Sequence, residues 1–354
     1  MNLARVASAT LFLVAGCIDT TLPAGVGGGQ SICSTDDLIA FRAQSSVQTR
    51  EDLWIAFVDV GHGDAIWVRT PGEVGGTARD ILFDVGDDGA ISGIDGLSAL
   101  RRFMSENEWL PGSPIDALVV TNPDYDHYGG ARGLMSGAGA YDVRTYVDPA
   151  VAVGDKPTYD ALIGFVGSEV AAGRMSSYRP ARTQWPPHLN ELSDGLVRWK
   201  LLASDENAAS TNDASIVVML EFVGVRVLLT GDAETPLLSR LAADPNLDLQ
   251  ANVLKVPHHG SADSSPDAFL DRVFPAATTG RSRFAIVSAG RRTSLPAEST
   301  LERLVARVGR AGLYRTDRGD EDKSTSQAPG DDHILMRITA EGDLMVCFVE
   351  PEAG

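Results

Sequence analysis

Thr121–Gly130 reads TNPDYDHYGG, directly after the apolar run Ile115-Asp116-Ala117-Leu118-Val119-Val120. Such a run predicts a short buried strand, and the Gly-Gly that follows lets the backbone turn sharply out of whatever the loop builds. Asn122, Asp124, Asp126 and His127 therefore fall together at a rigid strand end. A divalent cation needs several oxygen or nitrogen donors converging at roughly 2 Å, and donors on a short anchored loop lose little entropy in converging. The other reading is an Asp-rich turn that caps the following helix. Two later strand ends favour the metal: Val227-Leu228-Leu229-Thr230-Gly231-Asp232 closes on an acid, and Val253-Leu254-Lys255-Val256-Pro257-His258-His259-Gly260-Ser261 closes on a histidine pair.

The ordered set DVGHGDA (59–65), ILFDVGD (81–87), TNPDYDHYGG, LLTGDAE (228–234), LKVPHHGS (254–261) and YRTDRGD (314–320) resembles the metallo-β-lactamase superfamily. It is most similar to the extracytoplasmic hydrolase domain of the competence protein ComEC and its stand-alone relatives. The resemblance runs from about Trp54 to Asp317. It implies an α/β fold, the four-layered αβ/βα metallo-β-lactamase sandwich, with a metal cleft at the edge of its two sheets. It also implies one or two divalent ions, zinc or manganese with magnesium admitted, and a hydrolase that uses a metal-activated water.

Carried over position by position, the resemblance makes Asn122, Asp124, Asp126, His127, Asp232 and His258 the expected metal ligands, with Asp126 and Asp124 also catalytic. His259 is the alternative to His258. His259, Asp84, His62, Asp64 and Ser261 are expected to support the ligands or touch substrate, although Asp84 also reads as an ordinary turn aspartate. Asn122 stands where the family carries the first histidine of the loop. An amide oxygen is a weaker, neutral donor, so the first metal position is expected to be weak and the ligand set to favour harder ions. In this family the region of Asn212, Asp213 and Ser215 often supplies a further histidine; here it does not. No GxSxG elbow and no Walker-type phosphate loop occurs. Classical β-lactamase activity is not expected, because the loop donors differ.

Three functions stay open at this point. They are a phosphodiesterase or nuclease, a metallohydrolase of small esters, and a non-catalytic descendant that binds a ligand or partner. The 354 residues carry a net charge of −18 and a pI near 4.7. A chain of that balance repels extended polyanions overall, so a nucleic acid substrate is not expected to bind tightly.

The N-terminus reads as targeting sequence. Leu11-Phe12-Leu13-Val14-Ala15-Gly16-Cys17 is a short apolar segment ending in a lipobox, so residues 1–16 are expected to be removed and Cys17 lipidated. A plain secretory signal with an incidental cysteine is the other reading. Either way the protein is expected outside the cytoplasm, attached to a bacterial membrane through its lipid alone and with no transmembrane helix. Residues 17–50 read as a Gly- and Ser-rich flexible tether, and 51–354 as the domain, with an irregular insertion at about 150–210. In an oxidising compartment Cys33 and Cys347 are expected to pair; two buried thiols are the alternative.

Overall fold

The computed structural model describes residues 30–43, 51–72, 78–91, 93–151, 156–181, 197–204, 208–276, 282–290, 295–318 and 329–349. The expected lipobox at Cys17 lies outside these residues. The strands are β1 (Leu53–Phe57), β2 (Ile66–Arg69), β3 (Asp80–Phe83), β4 (Pro114–Ile115), β5 (Ala117–Val119), β6 (Asp142–Val143), β7 (Thr145–Asp148) and β8 (Ser177–Pro180). They continue as β9 (Val197–Ala203), β10 (Val217–Phe222), β11 (Val225–Leu229), β12 (Val253–Lys255), β13 (Phe284–Val287), β14 (Leu313–Arg315), β15 (Ile334–Ile338) and β16 (Leu344–Phe348). The helices are α1 (Thr35–Ala43), α2 (Gly96–Glu106), α3 (Tyr125–Tyr128), α4 (Ala131–Met135), α5 (Pro157–Ala171), α6 (Thr235–Ala243), α7 (Asp267–Val273) and α8 (Glu298–Val308).

Two sheets face each other, one in the order β16-β15-β1-β2-β3-β5-β7-β8 and the other β14-β13-β12-β11-β10-β9. Each is antiparallel in one part and parallel in the other: β3, β5, β7 and β8 run parallel, as do β11 to β14. Alternate residues of a strand point to opposite faces, so one strand can serve two cores. Strand β1 does so: Leu53, Ile55 and Phe57 join the core between the sheets, while Trp54 and Ala56 join the core under the first helical layer. Covered on both faces, its sequence is a continuous apolar run rather than an alternating one. Leu97, Leu100, Phe103 and Met104 of α2 cover the first sheet, on the helical spacing the sequence predicts. Asp95 caps that helix, accepting from the Ser98 N–H at 2.9 Å. Leu237, Leu238 and Leu241 of α6, Phe269 and Leu270 of α7, and Leu301 and Leu304 of α8 cover the second sheet. The result is the expected order of helix, sheet, sheet, helix.

Two expectations about the ends and middle of the chain need correction. The stretch read as a tether is built into the domain from residue 30. Ile32 bridges to Phe348, and the Phe41 side chain on α1 is fully buried, a burial that contributes about 1.5–3 kcal/mol. Phe41 packs against Trp54, Trp67 and Phe103, and its carbonyl accepts from the fully buried Arg69 Nη1 at 2.8 Å. The described residues within 150–210 are regular: α5 lies there, β8 forms the edge of the first sheet, and β9 forms the edge of the second.

Cys33 and Cys347 are disulfide-bonded across a sequence separation of 314 residues. The bond pins the segment before α1 to strand β16, and the Cys33 N–H donates to the Phe348 carbonyl at 2.8 Å. A cross-link between such distant positions restricts the unfolded chain strongly, so Cys33→Ser is expected to cost about 2–4 kcal/mol. Denaturant melts of wild type and variant, each with and without reductant, measure this. Reductant should destabilise wild type alone, and equal curves for all four samples would refute it.

Candidate metal centre

The parallel strands and β1 deliver their carboxyl ends to one edge of the sandwich, where ligands bind in open α/β sheets. The loop after β1 brings His62 and Asp64, the end of β3 brings Asp84, and the loop after β5 brings Asp126 and His127. The turn after β11 supplies Asp232, and the turn after β12 supplies His258 and His259. One donor atom each from Asp126, His127, Asp232 and His259 lie within 4.8 Å of one another. His127 Nε2 is 3.0 Å from Asp232 Oδ2, and His259 Nε2 is 3.4 Å from Asp232 Oδ2 and 3.3 Å from Asp126 Oδ2.

Each histidine is held from behind by its other nitrogen. His127 Nδ1 lies 2.9 Å from Asp84 Oδ2, and His259 Nδ1 donates to the Ser288 carbonyl at 2.8 Å. Asp84 is itself fixed, accepting from the Thr121 N–H and Oγ1–H at 2.6 Å each. Both Nε2 atoms thus face the cluster, and outer partners of this kind set ring orientation and basicity. Asp84→Asn is therefore expected to weaken divalent metal binding about ten- to hundredfold while the fold melts nearly as before. Titration with a chelating fluorophore competitor reads this, and an unchanged affinity would remove Asp84 from the account.

Backbone strain accompanies the site. Asp84, His258 and His259 adopt φ of 58°, 47° and 51°, left-handed values that cost a residue with a side chain about 1–3 kcal/mol each. The two consecutive left-handed residues turn His259 inward, fully buried, and leave His258 at the rim, with Nδ1 3.0 Å from Glu234 Oε1. His258 Nε2 stays 3.9 Å from Asp232 Oδ2.

The expected ligand set is revised accordingly: His259, not His258, joins the cluster. Asn122 also points elsewhere. Its Nδ2 donates to Thr211 O at 3.2 Å, Asn212 Oδ1 at 3.2 Å and Ser215 Oγ at 3.1 Å, while its Oδ1 accepts from the Asp124 N–H at 2.9 Å. Asp124, expected as ligand and catalyst, pairs through Oδ1 with Lys156 Nζ and accepts through Oδ2 from Thr211 Oγ1 at 3.0 Å. His62 sits against the cluster, its Nε2 3.0 Å from Asp126 Oδ2. Asp64 pairs with the fully buried Lys255, and Ser261 Oγ accepts from the Asp263 N–H at 3.3 Å within its own turn. Lys255 and Lys156 carry no role in the sequence reading. Only Lys255 left a signal, a charged residue inside a strand otherwise apolar on both faces.

Burial alone would favour neutral rings and neutral acids here. The Asp232 and Asp84 carboxylates overcome it and hold His127 well above its ordinary pKa, and Asp232 with Asp126 pushes His259 up to about 10. Reciprocally, the histidines overcome burial and hold Asp126 and Asp232 well below the usual carboxylate range. Two ring protons thus balance the acids in the ion-free protein. The donors nevertheless fit a cation: the Nε2 atoms of His127 and His259 converge on the Asp126 and Asp232 carboxylates, and Asp232 Oδ1 is buried without a hydrogen-bond partner. Neutral imidazole is the ligating form, so an ion must displace those protons. Because His259 is pushed up to about 10 and His127 is raised in the same direction, affinity should rise as pH increases from 6 to 9. Calorimetry in buffers of different ionisation enthalpy at pH 7.5 should register protons released as the ion binds. Release of none would contradict the balance described.

The family model described as Metallo-beta-lactamase superfamily matches residues 60–278, more than half of the chain. ComE operon protein 3 of Bacillus subtilis (strain 168) is 26% identical over 246 residues, covering 67% of this chain and 28% of that protein. Competence protein ComA of Neisseria gonorrhoeae is 28% identical over 233 residues, covering 64% of this chain and 26% of that protein. The chain thus spans about a quarter of the length of these curated relatives. Among solved structures, the metallo-beta-lactamase fold protein YhfI from Bacillus subtilis aligns with a TM-score of 0.42 at 11% identity, covering 74% of this chain and 95% of that one. The matched family model spans every strand end that contributes to the cluster, and the chain belongs to the metallo-beta-lactamase superfamily, whose members bind divalent metals and are mostly metallohydrolases.

Proposed function

We propose that this chain is a metal-dependent phosphodiester hydrolase acting outside the cytoplasm. The observation that carries the reading is the Asp126–His127–Asp232–His259 cluster, in which both histidines turn Nε2 toward the two carboxylates and the Asp126 side chain stays partly open to solvent. A divalent ion bound there supplies a water acidic enough to ionise near neutral pH and polarises the scissile group. Asp126 would hold that water in place through its solvent-facing side. Its Oδ2 is steadied between His62 Nε2 and His259 Nε2, and this fixes the direction from which the nucleophile is presented. Asp84 and the Ser288 carbonyl hold the two rings in the required tautomer. No side-chain nucleophile is needed. Support for phosphodiesters as the substrate class comes from the resemblance to the ComEC domain and from relatives named as competence proteins.

Export has its own support. The Val14-Ala15-Gly16-Cys17 lipobox reads as an anchor, the Cys33–Cys347 disulfide suits an oxidising compartment, and among the described residues no helix is long and apolar enough to cross a membrane. Purified protein should hydrolyse bis-p-nitrophenyl phosphate under added Mn²⁺, Zn²⁺ or Mg²⁺ and lose that activity in Asp126→Ala. Turnover of p-nitrophenyl acetate alone would move the assignment to small esters. Bound metal with no turnover of either compound would favour a ligand-binding descendant.

A further inference from the structure

Both positions that flank the cluster already hold a lysine. On the buried side, Asp64, Asp84 and His127 also bring donor atoms within 4.8 Å of one another. That group is committed internally: Lys255 Nζ pairs with Asp64 Oδ2, donates to the Gly231 carbonyl at 3.2 Å and reaches to 4.0 Å from Asp232 Oδ1. Asp84 meanwhile accepts twice from Thr121 and lies against His127 Nδ1. Lys255 has no exposed surface, so its side chain is a fixed part of the site.

The open side has the same arrangement. Asp124 and Asn122 are the loop donors that would hold a first ion. Lys156 Nζ pairs with Asp124 Oδ1 and donates to the Pro123 carbonyl at 3.2 Å, Thr211 takes the other oxygen, and the Asn122 Nδ2 lies within hydrogen-bond distance of three oxygens of the Thr211–Ser215 segment. An ammonium group satisfies a carboxylate much as a cation does, and it repels a second cation brought beside it.

We infer that this centre takes a single divalent ion, held by Asp126, His127, Asp232 and His259, and that Lys156 fills the place beside Asp124 where a second ion would otherwise sit. The inference rests on the cluster being the metal site. It goes beyond that reading in fixing the stoichiometry and naming the side chain that enforces it. Asn122 and Lys156 then act as a pair: the amide anchors the loop to the neighbouring segment, and the lysine neutralises the acid which that anchoring leaves at the rim.

Native mass spectrometry of the full chain equilibrated with excess Mn²⁺ or Zn²⁺ and then exchanged into ammonium acetate counts the ions without reference to turnover. Wild type and Lys156→Arg should each retain one ion. The double variant Asn122→His with Lys156→Ala frees Asp124, adds an imidazole and should retain two, with circular dichroism confirming the native fold. Two ions in wild type, or one in the folded double variant, would overturn the inference and leave the metal-site reading standing. No ion in any of the three proteins would overturn both.

Discussion

Asp232→Asn is expected to empty the centre of metal and abolish hydrolysis together, while leaving a folded protein. The carboxylate faces the Nε2 atoms of both ligating histidines, with Oδ2 3.0 Å from His127 Nε2 and 3.4 Å from His259 Nε2. An asparagine keeps the volume but removes the charge, and without that charge burial again favours neutral rings. Loss of an orienting partner alone costs about ten- to hundredfold in metal affinity, and loss of a ligand shared by two rings should exceed that, on the order of a thousandfold. The fold should survive because the backbone of Asp232 is anchored independently, its N–H donating to Ser215 Oγ at 3.1 Å. Metal content by plasma emission spectrometry, read beside circular dichroism, separates the two effects. A variant that retains stoichiometric metal would show that the ion binds elsewhere.

The second large effect comes from a residue with no side chain. Gly63 lies between His62 and Asp64 at φ +128°, and a Cβ there would meet the Asp126 carbonyl oxygen at 2.2 Å and its carbon at 3.2 Å. The loop after β1 therefore packs backbone to backbone against the metal loop. Gly63→Ala must push Asp126 away by about an ångström, and a shift of that size in a positioned catalytic group costs on the order of a hundredfold in rate. The strained φ adds about 1–3 kcal/mol and the overpacking about as much again. Gly137→Ala is the matched control: its φ is +82°, but nothing lies within 4 Å of the added Cβ. The control should lose stability modestly and keep its metal affinity, whereas Gly63→Ala should lose both. Equal behaviour of the two variants in thermal melts and metal titrations would show that the contact with Asp126 is unimportant.

Much of the centre was legible because its residues sit at the ends of apolar strands. Asp126 and His127 follow β5, Asp232 follows β11, and the histidine pair follows β12. Each run is apolar enough to be recognised, and each terminates on a residue whose chemistry stands out. The choice between His258 and His259 was not legible. It depends on two successive left-handed residues that swing one ring inward, and nothing in PHHGS marks that conformation on a non-glycine residue. Asn122 was read as a donor because its position in the loop allows it, whereas its amide is consumed by Thr211, Asn212 and Ser215, some 90 residues away, in contacts no local pattern records.

The fold shows the same division. The apolar residues of α2 and α8 recur at helical spacing in the sequence, and these faces meet the sheets. Strand β8, SYRP, is a four-residue edge strand without an apolar run, so it reads as a loop until its parallel partner β7 is in place. Helix α1 was hidden for a related reason. The Gly-rich composition before residue 30 suggested a tether, while the decisive feature was Phe41 finding Trp54, Trp67 and Phe103 in a cavity built by distant segments.

The central claim is that one ion binds between Asp126, His127, Asp232 and His259. An anomalous difference map from a crystal of the full chain equilibrated with Mn²⁺ or Zn²⁺, recorded at the metal's absorption edge, tests it most directly. The account predicts one peak about 2 Å from the Nε2 atoms of His127 and His259 and from carboxylate oxygens of Asp126 and Asp232. A peak held instead by Asn122, Asp124 and His258, with His259 turned away, would contradict it.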